Sequence, residues 1–189
     1  MLSEITALLV MAVAVPAGSP VTDQVRSATD GTVSLSHSVV VAAPAAEVST
    51  AISTAEGWKS WAVPVAWFDA RSGVMETSYN PVAKPGDANN IEQQFLDRVP
   101  GRRLAFRTVK APAGFPHFDA LRQVTQTFEL FPEGGGTRVV LTGSGYGADA
   151  AGQATLAFFK TGNRMSLEML RDRFVNGPID WTKKLAKRP

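Results

Sequence analysis

The chain has 189 residues, 44% hydrophobic and 19% charged, which suits one domain with a full core and excludes a disordered chain. A formal charge of +2 sets up no field that would gather a polyanion such as nucleic acid. Cysteine is absent, which excludes disulfides, thiolate catalysis and cysteine zinc sites together.

Ala7 to Val15 is an unbroken apolar run followed by small residues and a polar stretch from Gly18 to Asp23. This is the pattern of an export signal, and it is too short to span a bilayer, which takes about 20 apolar residues. Residues 1–17 are expected to be a signal peptide, with the mature chain periplasmic or secreted. Met1 to Thr6 carries Glu4 and no basic residue, so a cytoplasmic chain is the alternative.

Beyond it, Val21 to Ser27 and Thr32 to Val41 flank Asp30-Gly31, a dipeptide suited to a tight hairpin. Pro44 then stands at the first turn of a helix over 45–54, with Val48 and Ile52 on one face, and a second short helix covers 55–61. Alternating β-branched, aromatic and polar residues predict strands over 65–70, 73–79, 91–99, 103–109, 121–131 and 137–146. Gly or Pro marks each turn between them. Residues 111–118 form a Pro/Gly loop carrying Phe115, His117 and Phe118, apolar rings where solvent is expected, and a flap over a pocket is one reading of it.

The spacing of Leu156, Phe159, Asn163, Leu167, Leu170 and Phe174 predicts one long helix over 149–176. Asp149 caps its start, and Gly177-Pro178 ends it. At 1.5 Å per residue it is a rod of roughly 40 Å, enough to cross a domain. Phe158, Met165 and Met169 make a second apolar set off that stripe, lining either a cavity mouth or a self-association surface, so a homodimer through this helix is expected as one possibility. Residues 18–180 are expected to be a single domain, and 181–189 a solvated basic tail.

The opening motif Val41-Ala42-Ala43-Pro44-Ala45-Ala46-Glu47-Val48, with Ala51-Ile52, Glu56-Gly57-Trp58 and Trp61, resembles the START/Bet v 1-like (SRPBCC) superfamily. It most resembles the members named for the activator of Hsp90 ATPase homologue. Val99-Pro100, Arg103-Leu104-Ala105-Phe106, Gly134-Gly135-Gly136-Thr137-Arg138-Val139 and Leu141-Thr142-Gly143-Ser144-Gly145-Tyr146 add to the likeness, which covers about residues 32–176. The resemblance implies an α+β helix-grip fold: a curved antiparallel sheet of six to seven strands around the long C-terminal helix, with two short helices after the first strand. It also implies a cavity between sheet and helix, used in the superfamily for lipids, sterols, polyketides and other apolar ligands. Fold alone does not decide among these uses, and an exported chain would not meet a cytosolic chaperone.

Only His37 and His117 could join a metal site, and neither has a neighbour at ligand spacing, so no metal is expected. Gly143-Ser144-Gly145 lacks the outer glycines of a nucleophile elbow, and Gly134 to Gly136 lacks the Lys-Ser/Thr of a phosphate loop. No catalytic residue is assigned. Glu76, His117 and Tyr79 are the candidates for proton transfer if the pocket is catalytic. Alternation puts Glu76 on the face of Val74 and Ser78, Gln93 with Phe95, Arg107 with Ala105 and Gln126 with Phe128, without saying which face is inside.

Ligand contacts are expected from Trp61, Trp67, Tyr79, Phe95, Phe106, Phe115, Phe118, Phe128, Tyr146 and Phe158. The expected function is binding or carriage of a small apolar or amphipathic ligand without catalysis. No cofactor, nucleic acid or stable membrane insertion of the mature chain is expected. The alternatives are a polyketide cyclase/dehydratase-like enzyme and a protein-binding, co-chaperone-like module.

Overall fold

A computed structural model describes residues 19–186. The expected leader, residues 1–17, and the last three residues of the tail lie outside the described residues.

The chain opens with a hairpin, β1 (Thr22–Ser27) and β2 (Val33–Val41), followed by α1 (Ala45–Ser53) and α2 (Ala55–Lys59). A meander follows: β3 (Val65–Asp69), β4 (Val74–Ser78), β5 (Ile91–Val99), β6 (Arg103–Lys110), a short α3 (Phe118–Leu121), β7 (Thr125–Glu133) and β8 (Gly136–Tyr146). The long α4 (Ala150–Asn176) and the short α5 (Trp181–Ala186) complete it. All strands join one curved, unclosed antiparallel sheet of eight, ordered β1-β2-β8-β7-β6-β5-β4-β3. With α4 lying across β2 and β8, this is the helix-grip arrangement.

Three local expectations change. The first arm of the hairpin, β1, pairs antiparallel with β2 from Thr22 to Ser27 and joins the sheet as an eighth strand, and Arg164 of α4 also holds the Val21 carbonyl and Asp23. The strand expected over 121–131 begins only at Thr125: Leu121 and Arg122 make helical bonds back to His117 and Phe118, turning Phe118–Leu121 into α3 with Leu121 buried. In the tail, Trp181–Ala186 is helical, and the Trp181 indole donates to the carbonyl of Lys59 at 2.6 Å.

The ends of α1 and α2 show why this sequence folds as it does. The last carbonyls of a helix have no partner within it. Here Trp58 Nε1 donates to the Ile52 carbonyl (2.6 Å) and Trp61 Nε1 to the Ala51 carbonyl (3.0 Å), so two buried indoles finish α1. Gly57 lets α2 press on α1, since a Cβ there would meet the Thr50 carbonyl at 2.3 Å. The Glu56-Gly57-Trp58 motif is therefore a packing device.

Inward-facing residues on the strands are Leu35, Val39 and Val41 of β2, Val139 and Leu141 of β8, Phe128 and Leu130 of β7, and Leu104 and Phe106 of β6. Together with Val48 and Ile52 of α1, Trp61, and Leu167 and Leu170 of α4, most of these form one core cluster. Aromatic rings continue it toward β3, Phe128 to Phe106 to Phe95 to Phe68, with centroid spacings of 6.2, 6.5 and 5.2 Å. This half of the inner face, where the resemblance implied a hollow, is occupied by packed side chains.

Candidate functional site

The other end of the inner face is organised differently. The connection from β6 to β7 leaves the sheet, turns at Gly114 and His117, and returns over the N-terminal half of α4. Between loop and helix lies a cleft of about 180 Å³ lined by Phe115, Pro116, His117, Ala154, Thr155, Phe158 and Phe159. Phe115 meets Phe158 edge to face, with centroids 5.7 Å apart at 84°, and Phe158 meets Phe159 at 5.3 Å and 72°. Phe158 nevertheless stays 53% exposed. His117 is the cleft's only titratable side chain. It is exposed, at φ 55° and ψ 35°, a left-handed conformation uncommon for a residue with a Cβ.

Behind the cleft, Phe159 packs on Tyr146, and a chain of buried polar groups begins there. Tyr146 fits because residue 143 is glycine; a Cβ at that position would stand 2.4 Å from the Tyr146 hydroxyl. Gln126 Nε2 donates to Tyr146 Oη at 3.3 Å, and Asn163 Nδ2 of α4 donates to Gln126 Oε1 at 3.4 Å. Burial pushes the Tyr146 phenol up to about 12, so it stays protonated.

His37 lies on the inner face of β2, wholly buried, with Nε2 3.0 Å from the carbonyl of Lys160. Desolvation by burial holds its imidazole below the ordinary histidine value, opposed first by the bond to Lys160. On the cross-strand neighbour β1, Asp23 pairs with Lys160 at 3.4 Å and with Arg164, forming an ion cluster at the seam of β1, β2 and α4.

The residues expected to bind ligand fall into three places. Phe115 and Phe158 line the cleft; Phe118 begins α3 beside it, and Tyr146 stands behind Phe159. Trp61, Phe95, Phe106 and Phe128 are in the aromatic core. Trp67 and Tyr79 point elsewhere: Trp67 pairs with Glu76 on the outer face, opposite in parity to the buried Ala66 and Met75, and Tyr79 is 61% exposed past the end of β4.

Glu76 is corrected as a pocket carboxylate for the same reason. Its Oε1 accepts from Gly86 N–H and Asn90 Nδ2, both at 2.7 Å, so it fastens the 79–90 loop on the outer face. Arg107 shares that outer parity, its Nη2 donating to Thr125 at 3.0 Å, whereas Gln93 and Gln126 face inward and are buried. The polar groups that sequence reasoning did not assign to the site are His37, Asn163 and Thr155. The signal was present: Asn163 interrupts an apolar stripe, and His37 alternates in phase with Leu35 and Val39.

A further concavity of about 250 Å³ lies at the other end of α4, between Met169, Arg173, Asn176 and Lys184. Among the described residues no group of three His, Asp or Glu side chains could hold a metal ion, and no helix is long and apolar enough to cross a membrane.

No curated protein matches the chain. Solved structures do. The crystal structure of CalU16 from Micromonospora echinospora is 21% identical, covering 89% of this chain and 91% of that one with a TM-score of 0.56. Protein MLL2253 from Mesorhizobium loti is 20% identical over 77% and 99%, TM-score 0.59. The Aha1 dimer from Colwellia psychrerythraea is 15% identical over 76% and 97%, TM-score 0.56. At these identities the structures bear on the fold, which they share with START/Bet v 1-like and Aha1-like proteins. The family model described as polyketide cyclase / dehydrase and lipid transport matches residues 32–175, most of the chain, and the protein therefore belongs to that family within the SRPBCC superfamily.

Proposed function

We propose that the chain binds a small apolar or amphipathic molecule between the 111–117 loop and the N-terminal half of α4. The observation that carries this is the pair Phe115 and Phe158, stacked edge to face over the cleft while Phe158 stays half exposed. A ring that packs edge to face on two others, Phe115 and Phe159, and still stays half exposed is a surface waiting for a partner. At about 180 Å³ the cleft is below the roughly 300 Å³ at which drug-sized sites begin. It suits one or two fused rings, or a chain end, and a larger ligand would need the loop to lift.

Naphthalene is a suitable probe. Its fluorescence titration should show affinity falling about tenfold in Phe158→Ala and several-fold in Phe115→Ala, from lost burial and edge-to-face contact, with the fold intact by circular dichroism. Unchanged affinity in both variants would remove this placement of the site.

A cyclase/dehydratase-like reading has one observation in its favour, His117 at the rim, the sole acidic or basic side chain among the lining residues. If that reading holds, His117→Ala abolishes turnover of a ligand while leaving its binding unchanged.

A further inference from the structure

We propose a second binding site at the opposite end of α4, one that takes a phosphate monoester bearing a small apolar group. The concavity there is built by the turn out of the helix. Gly177, at φ 83°, ends α4, the Ile179 N–H donates to the Ser60 carbonyl at 2.9 Å, and the Trp181 indole donates to the Lys59 carbonyl at 2.6 Å. Those two bonds pin the start of α5 to the end of α2 and leave a hollow of about 250 Å³ between α5 and the last turns of α4. Met169, Pro178 and Ile179 supply its apolar lining, and Arg173 and Lys184 its cations. At that size, below the roughly 300 Å³ at which drug-sized sites begin, it suits a phosphate with one ring or a short chain.

Both cations are steadied by rings and left without a counter-charge. The Arg173 guanidinium lies 5.1 Å from the centroid of Phe174, which packs against the main core, and the Lys184 ammonium lies 5.1 Å from that of Trp181. Neither makes a side-chain hydrogen bond or ion pair among the described residues, so the Arg173 fork, its buried Nε included, is unmet by protein. A buried donor left unmet is costly. The one carboxylate in the lining, Asp172, is taken by Arg171, whose Nε and Nη2 reach it at 2.8 and 2.7 Å. Asp180, next to the lining residue Ile179, pairs with Lys183 at 3.3 Å. Arg171, Arg173 and Lys184 thus outweigh Asp172, and the last carbonyls of α4 oppose them with only about half a charge. Two free cations match the charge of about −1.5 to −2 on a phosphate monoester better than the single charge of a carboxylate. The planar fork of a guanidinium fits phosphate oxygens in pairs, and the ammonium adds a point charge.

The full chain is titrated at pH 7.5 with phenyl phosphate, inorganic phosphate, benzoate and phenol, followed by calorimetry and backbone amide shifts. Phenyl phosphate should bind about tenfold more tightly than any of the others. It should move the amides of Gly177 and Ile179 and leave those of Phe115 and His117 still. Arg173→Gln should weaken phenyl phosphate about tenfold and Lys184→Gln several-fold. Both variants should keep wild-type naphthalene affinity at the loop cleft, so the failure of either site is distinct from the failure of the other. Vesicles of phosphatidylcholine, with and without phosphatidic acid, separate two sources of the ester. Competition with phenyl phosphate only when phosphatidic acid is present assigns a lipid headgroup, and no competition assigns a soluble ester. Any of the other three probes binding as tightly as phenyl phosphate, or full affinity in both variants, overturns the proposal. Still amides at Gly177 and Ile179 under saturating phenyl phosphate overturn it too, a readout that needs only wild-type protein.

Discussion

The two halves of α4 belong to one helix and are packed by opposite rules. The C-terminal half sends Leu167 and Leu170, both fully buried, into the core beside Val39, Leu141 and Ile52. The N-terminal half buries Thr155 and Asn163 and leaves Phe158 half exposed under an aromatic loop. One end closes the core, and the other leaves polar capacity and ring faces unmet. Substitutions in the core of the C-terminal half should therefore be felt as stability, and substitutions in the N-terminal half as binding at the loop cleft.

The largest effect is expected at the closed end. Leu170→Ala deletes a fully buried side chain from the main core and should cost about 3 kcal/mol. For a domain of this size that lowers Tm by about 10 °C in a thermal scan. Naphthalene affinity measured well below Tm should not change. A large loss of probe binding in this variant would mean that the two ends are coupled.

Gly152→Ala tests how firmly the open end is anchored. Gly152 lies in the first turn of α4, where Asp149 accepts from its N–H at 2.8 Å, and a Cβ there would stand 2.3 Å from the Gly147 carbonyl oxygen. Backbone has to shift, at a cost of about 1–3 kcal/mol. Hydrogen exchange should speed up around 150–156 and stay slow at 167–174. Uniform acceleration along the helix would blur the division.

Acid should act on the open end through His37. Folded His37 binds a proton less readily than it does in the unfolded chain, because burial disfavours the imidazolium. Stability is therefore fully present above the ordinary histidine value of about 6.5 and falls as pH drops below it. The loss is at most about 1.4 kcal/mol per pH unit until the folded group itself protonates. Charges facing the ring are Asp23 from β1, which favours protonation, and Lys160 and Arg164 from α4, which oppose it. Urea melts at pH 7 and pH 5.5 should differ in wild type and converge in His37→Gln, apart from the common carboxylate effects. An identical pH dependence in both would show that the ring is not the sensor.

The sequence made the helix itself easy to read and the buried polar groups around its open end hard. The apolar stripe from Leu156 to Phe174, the Asp149 cap and the Gly177 stop are local signals, and each stands where the period puts it. The Gly57-Trp58 motif was legible as a family mark before its packing role was visible. The face of Glu76 was not legible. Period-two alternation gives the phase of a strand and leaves its sign open, and only the register with Trp67 and Glu92 shows that the carboxylate lies outside. His37 and Asn163 were readable as polar residues in buried phase, but their partners, the Lys160 carbonyl and Gln126, are 123 and 37 positions away. The hairpin turn at Asp30-Gly31 marked the first arm locally, but the ties from Arg164 to Val21 and Asp23 are as distant in sequence as those of His37.

The smallest expected effect falls where the two halves meet. Gly162 sits mid-helix, and a Cβ built on it finds nothing within 4 Å. Alanine loses less backbone freedom than glycine on entering a helix, so Gly162→Ala should stabilise the chain by about 0.8 kcal/mol, raising Tm by about 2–3 °C. Met165, 55% exposed, and Phe158 flank it at helical spacing on the same outward side. That face is the one a second copy would use if this chain paired through α4, as the sequence allows. In a pair packed closely over Gly162, the added methyl would meet the neighbouring helix and the sign would reverse. Light scattering and a melt of the same sample at two concentrations separate the cases. A higher Tm independent of concentration leaves the face open to solvent, whereas a lower Tm together with a loss of mass places a partner helix against it.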